Sequence, residues 1–284
     1  MAIGALAAFW WLTIPQRGEV KDLAALTGDI TNGQDVFWAA GCASCHAAPG
    51  AEDDARLTLV GGMAFASPFG TFFAPNISQD PTHGIGAWTL AELSDAMRHG
   101  TSPNGAHYYP AFPFTSYARA KVQDIADLYA FLKTLPASDI ASKPHDVGFP
   151  FNIRRGLGLW KQIYPSPNPV IPVVGDTVKR GQYLVEALGH CGECHTPRNA
   201  LGALDYGRWL YGAPSPDGKG KVPALTPDRL TWSSQDIVAY LSTGFTPEYD
   251  SAGGHMADVV LNLAHLSKTD LQAITAYLKA LPTR

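Results

Sequence analysis

Charge is scarce in this 284-residue chain: charged residues make up 16% of it, and the net charge is only −4. It has no long Lys/Arg run and no basic amphipathic stretch, which excludes the electrostatic footprint that nucleic acid requires. No stretch of any length alternates apolar and polar residues, so no extended sheet is expected. No apolar run is long enough to cross a bilayer alone. The most apolar one, "MAIGALAAFWWLTI" at 1–14, gives about 21 Å of helix against a hydrocarbon core of about 30 Å. It also lacks the basic n-region of a signal peptide. Residues 1–17 are therefore expected to be the end of a membrane anchor or uncleaved signal whose start lies upstream, with Trp10 and Trp11 at the boundary between lipid and water. Cysteine is limited to four residues and methionine to four.

Hydrophobic residues make up 46% of the chain and are spread along it, which supports packed cores. The length suggests about two domains. All four cysteines lie in two copies of one pattern, Cys42-Ala43-Ser44-Cys45-His46 and Cys191-Gly192-Glu193-Cys194-His195. C-x-x-C-H is the attachment site of a c-type haem. The spacing follows from the chemistry: two thiols bond one edge of the porphyrin, and the next residue is then held beneath the iron, where imidazole is a good proximal ligand. A zinc ribbon would need its two cysteine pairs close in sequence, but these start at 42 and 191. A redox C-x-x-C would not need the histidine twice. No cysteine is left over for a disulfide, so the expected cofactors are two covalently bound haem c groups.

The motifs belong to an internal repeat. Each is preceded by a Gly-Gln pair, Gly33-Gln34 and Gly181-Gln182, expected to open a helix. Each is followed by a similar loop, "APNISQD" at 74–80 and "VPALTPD" at 222–228, and then by a Trp-led helix starting from Trp88 or Trp232. Each half closes with an amphipathic helix, "DIADLYAFLKTLP" at 124–136 and "DLQAITAYLKALP" at 270–282. Ile125, Leu128 and Leu132 share one face of the first, and Leu271, Ile274 and Leu278 one face of the second. Pro136 and Pro282 stop both. The fold is expected to be mainly α: a first unit at 28–136, a Pro-rich linker at 137–174 and a second unit at 175–284. Within the linker, "FNIRRGLGLWKQIY" at 151–164 is expected to form a short helix capped by Asn152. It is read as a spacer, with Arg154 and Arg155 as candidate partners for haem propionates.

This order of elements resembles the class I cytochrome c fold, twice over. More narrowly, "GGMAFASPFGTFFAPNISQD", "GIGAWTLAELSDAMRHG", "YPAFPFTSYA", "CHTPRNALGALD" and "HMADVVLNLAHLSKTDLQAITAYLKALP" resemble the multihaem cytochrome c subunits of bacterial membrane-bound dehydrogenases. Such subunits serve periplasmic alcohol, aldehyde, gluconate and fructose dehydrogenases and some molybdenum hydroxylases. Many carry three haems, and this chain matches the first two modules. The resemblance implies an electron carrier on the periplasmic side of the bacterial inner membrane. Its partners would be a periplasmic dehydrogenase catalytic subunit upstream and a quinone, cytochrome or oxidase downstream.

Cytochromes of this class supply a sixth iron ligand, usually Met, from the loop between the Trp-led and last helices. In the second unit this is Met256, 24 residues after Trp232; His190, His255 and His265 read as surface or structural residues. The same offset from Trp88 falls on Phe112, within "GAHYYPAFPFTSY", and phenylalanine has no lone pair to offer. Three readings stay open. His107 could bend over the iron; Met97 could reach in from the Trp-led helix; or the iron could lack a protein ligand beneath a Phe112 lid. His99, His83 and Met63 are more distant candidates. His107 is the expected ligand and Met97 its rival. Met/His ligation raises a haem's potential, so a second histidine would make haem 1 the lower-potential site. An open iron would revive an enzyme reading, a dihaem peroxidase or a thiosulfate dehydrogenase. Against it stand the aromatic wall of Tyr108, Tyr109, Phe112 and Phe114 and the lack of a spare cysteine. The chain is therefore read as a carrier without catalytic residues.

Overall fold

The computed structural model describes residues 2–18, 23, 25–215 and 220–283. Met1 and Arg284, the outer limits of the expected anchor and second unit, lie outside the described residues. The chain is mainly helical. After α1 (Ala2–Leu12) come α2 (Ile30–Ala39), α3 (Cys42–His46), α4 (Leu90–Ser94), α5 (Phe114–Tyr117) and α6 (Val122–Leu132). A connection carries α7 (Leu157–Ile163). Then follow α8 (Asp176–Tyr183), α9 (Gly192–His195), α10 (Ser234–Thr243), α11 (His255–Leu263) and α12 (Lys268–Ala280).

The architecture rests on two helix crossings, α2 against α6 and α8 against α12. The faces expected to be core are buried: Ile125, Leu128 and Leu132 on α6, and Leu271, Ile274 and Leu278 on α12. The glycines of the two Gly-Gln pairs explain how close the crossings are. Both lie inside their helices rather than at the openings expected from the sequence, because their role is contact rather than helix initiation. A Cβ on Gly33 would stand 2.0 Å from the Asp127 carbonyl oxygen, and one on Gly181 would stand 1.8 Å from that of Ala273. Only a residue without a side chain lets backbone meet backbone here.

The Trp-led helices are capped alike. Thr89 and Ser233 accept the amides of Glu92 and Asp236, whose carboxylates reach back to the cap amides. α4 runs on into a π turn at Asp95–His99, and α8 into another at Leu184–Leu188. Short strands that the sequence pattern did not announce complete the fold. β1 (Ala64–Ser67), β2 (Gly70–Phe73) and β3 (Asp146–Val147) form an antiparallel sheet, and β4 (Ala213–Pro214) pairs with β5 (Lys221–Val222). Strands of two to four residues are too short to show an alternating pattern.

One expectation about the linker needs correction. Asn152 does not cap the linker helix: a 3-10 turn at Arg154–Gly156 intervenes, and α7 starts after Gly156 with no side-chain cap. Arg154 and Arg155 are engaged within the protein. Arg154 lies over the Tyr109 ring at 4.9 Å. Arg155 donates to Thr13 Oγ1 at 2.7 Å and to the Trp10 carbonyl at 2.6 Å, and covers the Trp10 ring at 4.2 Å. The linker thereby grips the end of α1, where Gly158 packs against Thr13. Among the described residues no helix is long and apolar enough to cross a membrane. Trp10 and Trp11 are 64% and 70% exposed.

Gly181→Ala is expected to destabilise the protein by about 1–3 kcal/mol through overpacking. It should also lower the melting temperature of the haem-loaded chain. An unchanged melt would contradict the close crossing of α8 and α12.

Candidate haem sites

The two C-x-x-C-H segments form the short helices α3 and α9, and each histidine is held in the same way. His46 Nδ1 donates to the Pro75 carbonyl at 2.8 Å, and His195 Nδ1 donates to that of Pro223 at 2.7 Å. A carbonyl can only accept, so Nδ1 carries the proton and Nε2 keeps its lone pair for a metal. Burial holds both rings below the ordinary histidine range, partly offset by these hydrogen bonds. Burial favours the neutral ring, and the hydrogen bond selects the tautomer that leaves Nε2 able to ligate. The prolines come from the repeated "AP" and "VP" loops, brought back by matching turns. Gly61 N–H donates to the His46 carbonyl at 2.7 Å, and Gly212 N–H to that of His195 at 2.8 Å; both glycines have positive φ.

The cysteines are unbridged. Burial pushes the thiols of Cys42, Cys45 and Cys191 up to about 12. Among the described residues no group of three or more His, Cys, Asp or Glu side chains converges to hold a metal ion. Paired thiols beside one imidazole with a free Nε2, and no converging cage, are the donor set of a covalently attached haem.

The two sites face each other. Ser44, inside the first motif, donates to the Asp258 carbonyl at 3.1 Å and accepts from Asn262 Nδ2. Asn262 in turn accepts from the buried Arg56 at 2.8 Å. Trp38 stacks on His265 with centroids 3.8 Å apart. His190, next to the second motif, meets the Ala40 carbonyl at 3.3 Å, and Tyr117 OH donates to that same carbonyl at 3.0 Å. Glu193, inside the second motif, accepts from Thr115 at 2.9 Å and Ser116 at 3.0 Å, and pairs with Arg198. Burial raises Glu193, but Arg198 and His190 outweigh it and hold the carboxyl below its usual range. Cys45 lies near enough to Cys194 for the second thiol to add to the upward shift that burial gives the first. His190 and His265, read from sequence as surface or structural, thus belong to the contact between the halves.

Met256 stands at the start of α11, half-buried against the core. His255 beside it lies over Phe65 with centroids 6.2 Å apart. In the first half, the backbone pairing Thr101–His107 has its counterpart in Phe245–Ser251. His107 therefore corresponds in position to Ser251, and Phe112 to Met256. His107 is 3% exposed, and its Nε2 donates to the Thr13 carbonyl at 2.9 Å, on the side of the N-terminal segment and α7. Met97 is 4% exposed, inside the hydrophobic core that Phe112 also packs against. Phe112 sits between Tyr108 and Tyr117, each at 5.7 Å. His99 lies beside Gly18 and Asp95, and His83 contacts Asp80. The Pro75 and Pro223 carbonyls were not foreseen; the signal was present in the repeated Ala/Val-Pro loops.

A family model described as cytochrome c matches residues 30–136. The chain is 57% identical over 279 residues to a "Diheme cytochrome c-type" protein of Cereibacter sphaeroides, covering 97% of this chain and 94% of the relative. It is 38% identical over 277 residues to the fructose dehydrogenase cytochrome subunit of Gluconobacter japonicus, covering 95% of this chain and 56% of that subunit. It is 36% identical over 257 residues to the cytochrome c subunit of the quinone-type alcohol dehydrogenase of Gluconacetobacter polyoxogenes, covering 85% of this chain and 53% of that subunit. The chain spans about half the length of these two dehydrogenase subunits.

Removing the Asn262 amide would strand the buried Arg56. Asn262→Leu is expected to cost about 1.5–3 kcal/mol, the range for a hydrogen bond to a charged group. A thermal melt of the haem-loaded protein checks this, and an unchanged midpoint would show that Arg56 finds another partner.

Proposed function

We infer the role of this chain from one premise: it belongs to the cytochrome c family. It is a dihaem electron carrier built of two class I cytochrome c-like domains. It receives electrons from the catalytic subunit of a periplasmic dehydrogenase and passes them to a quinone, cytochrome or oxidase. The observation that carries this reading is the duplicated site, a C-x-x-C-H segment whose histidine is tied through Nδ1 to a proline carbonyl, once in each half. Cys42 and Cys45 would hold haem 1 and His46 Nε2 its iron; Cys191, Cys194 and His195 would do the same for haem 2. Haem, when bound, supplies a one-electron iron couple, and the protein sets its potential through ligands, burial and hydrogen bonding.

The packing of α3 against α11 and the nearness of Cys45 to Cys194 support transfer within one molecule, because they hold the two attachment segments close together. Met256 is the proposed sixth ligand of haem 2. For haem 1, Met97 is now preferred to His107. Met97 is buried in the hydrophobic core, whereas His107 Nε2 is committed to Thr13. Phe112 fills the position of Met256 and has no acid–base group, and Tyr117 beside it commits its OH to the Ala40 carbonyl; this favours the carrier over a peroxidase. The exposed Trp10 and Trp11 support association with the periplasmic face of the inner membrane through the N-terminal segment.

Mass spectrometry of the denatured chain should show the polypeptide plus two haem groups; one or none would refute the dihaem reading. Met256→Leu should lower the potential of one haem, since loss of the Met ligand removes the feature that raises it. On oxidised protein, electron paramagnetic resonance should show Met97→Leu converting haem 1 to high spin and His107→Gln leaving it unchanged. The opposite pattern would restore His107 as the ligand. High-spin haem 1 in the unmutated protein would mean an open iron and reopen the enzyme reading.

A further inference from the structure

Where the N-terminal segment meets α7 and the π turn after α4, the structure contains a cavity of about 60 Å³. Its wall carries four basic side chains, Arg98, His99, His107 and Lys161. His107 is 3% exposed, and its Nδ1 has no hydrogen-bond partner; neither has the buried Nε of Arg98. Buried polar atoms are normally paired, so two unpaired ones on residues that line one cavity call for an explanation. Lys161 donates to the carbonyls of His99 at 2.7 Å and Gly100 at 2.5 Å, which leaves one of its three N–H groups over.

Burial holds both histidines in the neutral form, so Arg98 and Lys161 carry what positive charge the wall has. Arg155 also acts on His107. The carboxylate that acts on His99 is Asp95, and it is already engaged by the Gly18 amide at 2.7 Å and by Arg17 at 3.9 Å. Burial lowers Lys161 to about 7, as expected of a cation enclosed without a counter-charge.

We propose that this cavity binds a hydrogen phosphate group, either inorganic phosphate or the end of a phosphate monoester, through Arg98, His107 and Lys161. Size and hydrogen-bonding pattern support this choice. A water needs about 10–15 Å³ of such space, so the cavity holds roughly four water-sized groups, the scale of one tetrahedral oxyanion. Arg98 and Lys161 offer donors for anionic oxygens. His107 gives its Nε2–H to Thr13, so in the neutral ring Nδ1 is an acceptor and fits a P–OH. Sulfate carries no proton at neutral pH and would leave Nδ1 unsatisfied. The cavity also abuts Ile14 and Gln16, just beyond Trp10 and Trp11, so a monoester lipid headgroup could enter from a bilayer as readily as free phosphate from solution.

Isothermal titration calorimetry on the full-length, haem-loaded protein tests this with inorganic phosphate as probe. Saturable binding at one site is expected, roughly millimolar or tighter, with weaker binding of sulfate. Arg98→Gln and Lys161→Met should each weaken phosphate about tenfold or more, the scale of one charge-assisted hydrogen bond. Their visible spectra should match the unmutated protein, which separates a lost site from a lost fold. Vesicles with and without phosphatidic acid distinguish the lipid from the soluble source. Absence of saturable binding, equal binding by both variants, or sulfate binding as tightly as phosphate would each overturn the proposal.

Discussion

An imidazole binds iron well through one nitrogen when the other is occupied, since the second hydrogen bond fixes both tautomer and ring plane. In this chain the Pro75 and Pro223 carbonyls provide that bond. Much of the architecture serves to bring a proline back to a histidine nearly thirty residues earlier. Gly61 and Gly212 bend the chain at positive φ and bond to the histidine's own carbonyl. The crossings at Gly33 and Gly181 lock the first and last helices of each half around the result. A neutral ring with a free Nε2 follows from burial and from this bond together.

The two histidine sites are not independent. Arg56, Asn262 and Ser44 form a hydrogen-bonded chain from the first half into α11, the helix that carries Met256. Glu193, from the second motif, is satisfied by Thr115 and Ser116 in the helix just after the Phe112 loop. Each half thus supplies polar partners next to the other's ligand loop. Buried networks of this kind are stable only when every member is satisfied. The geometry between the two attachment segments is therefore set by the protein rather than by a flexible tether, and a relay needs that property.

Much of this was legible in the sequence, and the rest was hidden for physical reasons. C-x-x-C-H can be read because covalent attachment fixes local spacing. The terminal helices of each half can be read because a 3.6-residue period exposes their buried face. The partners of Arg56 and His107 cannot be read this way. Asn262 lies 206 residues from Arg56, and Thr13 lies 94 from His107. No local pattern encodes such pairings. His107 looked like a ligand because it sits on a loop near the expected position. The backbone pairing makes Ser251 its counterpart in the second half, and its Nε2 bonds to Thr13 in the N-terminal segment. Asn152 looked like a cap, but a 3-10 turn separates it from α7.

The central claim is that two haem sites in one chain exchange electrons across the packed contact between its two halves. Photoreduction of one haem in the purified protein, followed by transient absorption of the other, tests it most directly. The account predicts a first-order exchange whose rate does not change as the protein is diluted. A rate proportional to protein concentration would mean that electrons pass only by collision between molecules, and would contradict the claim.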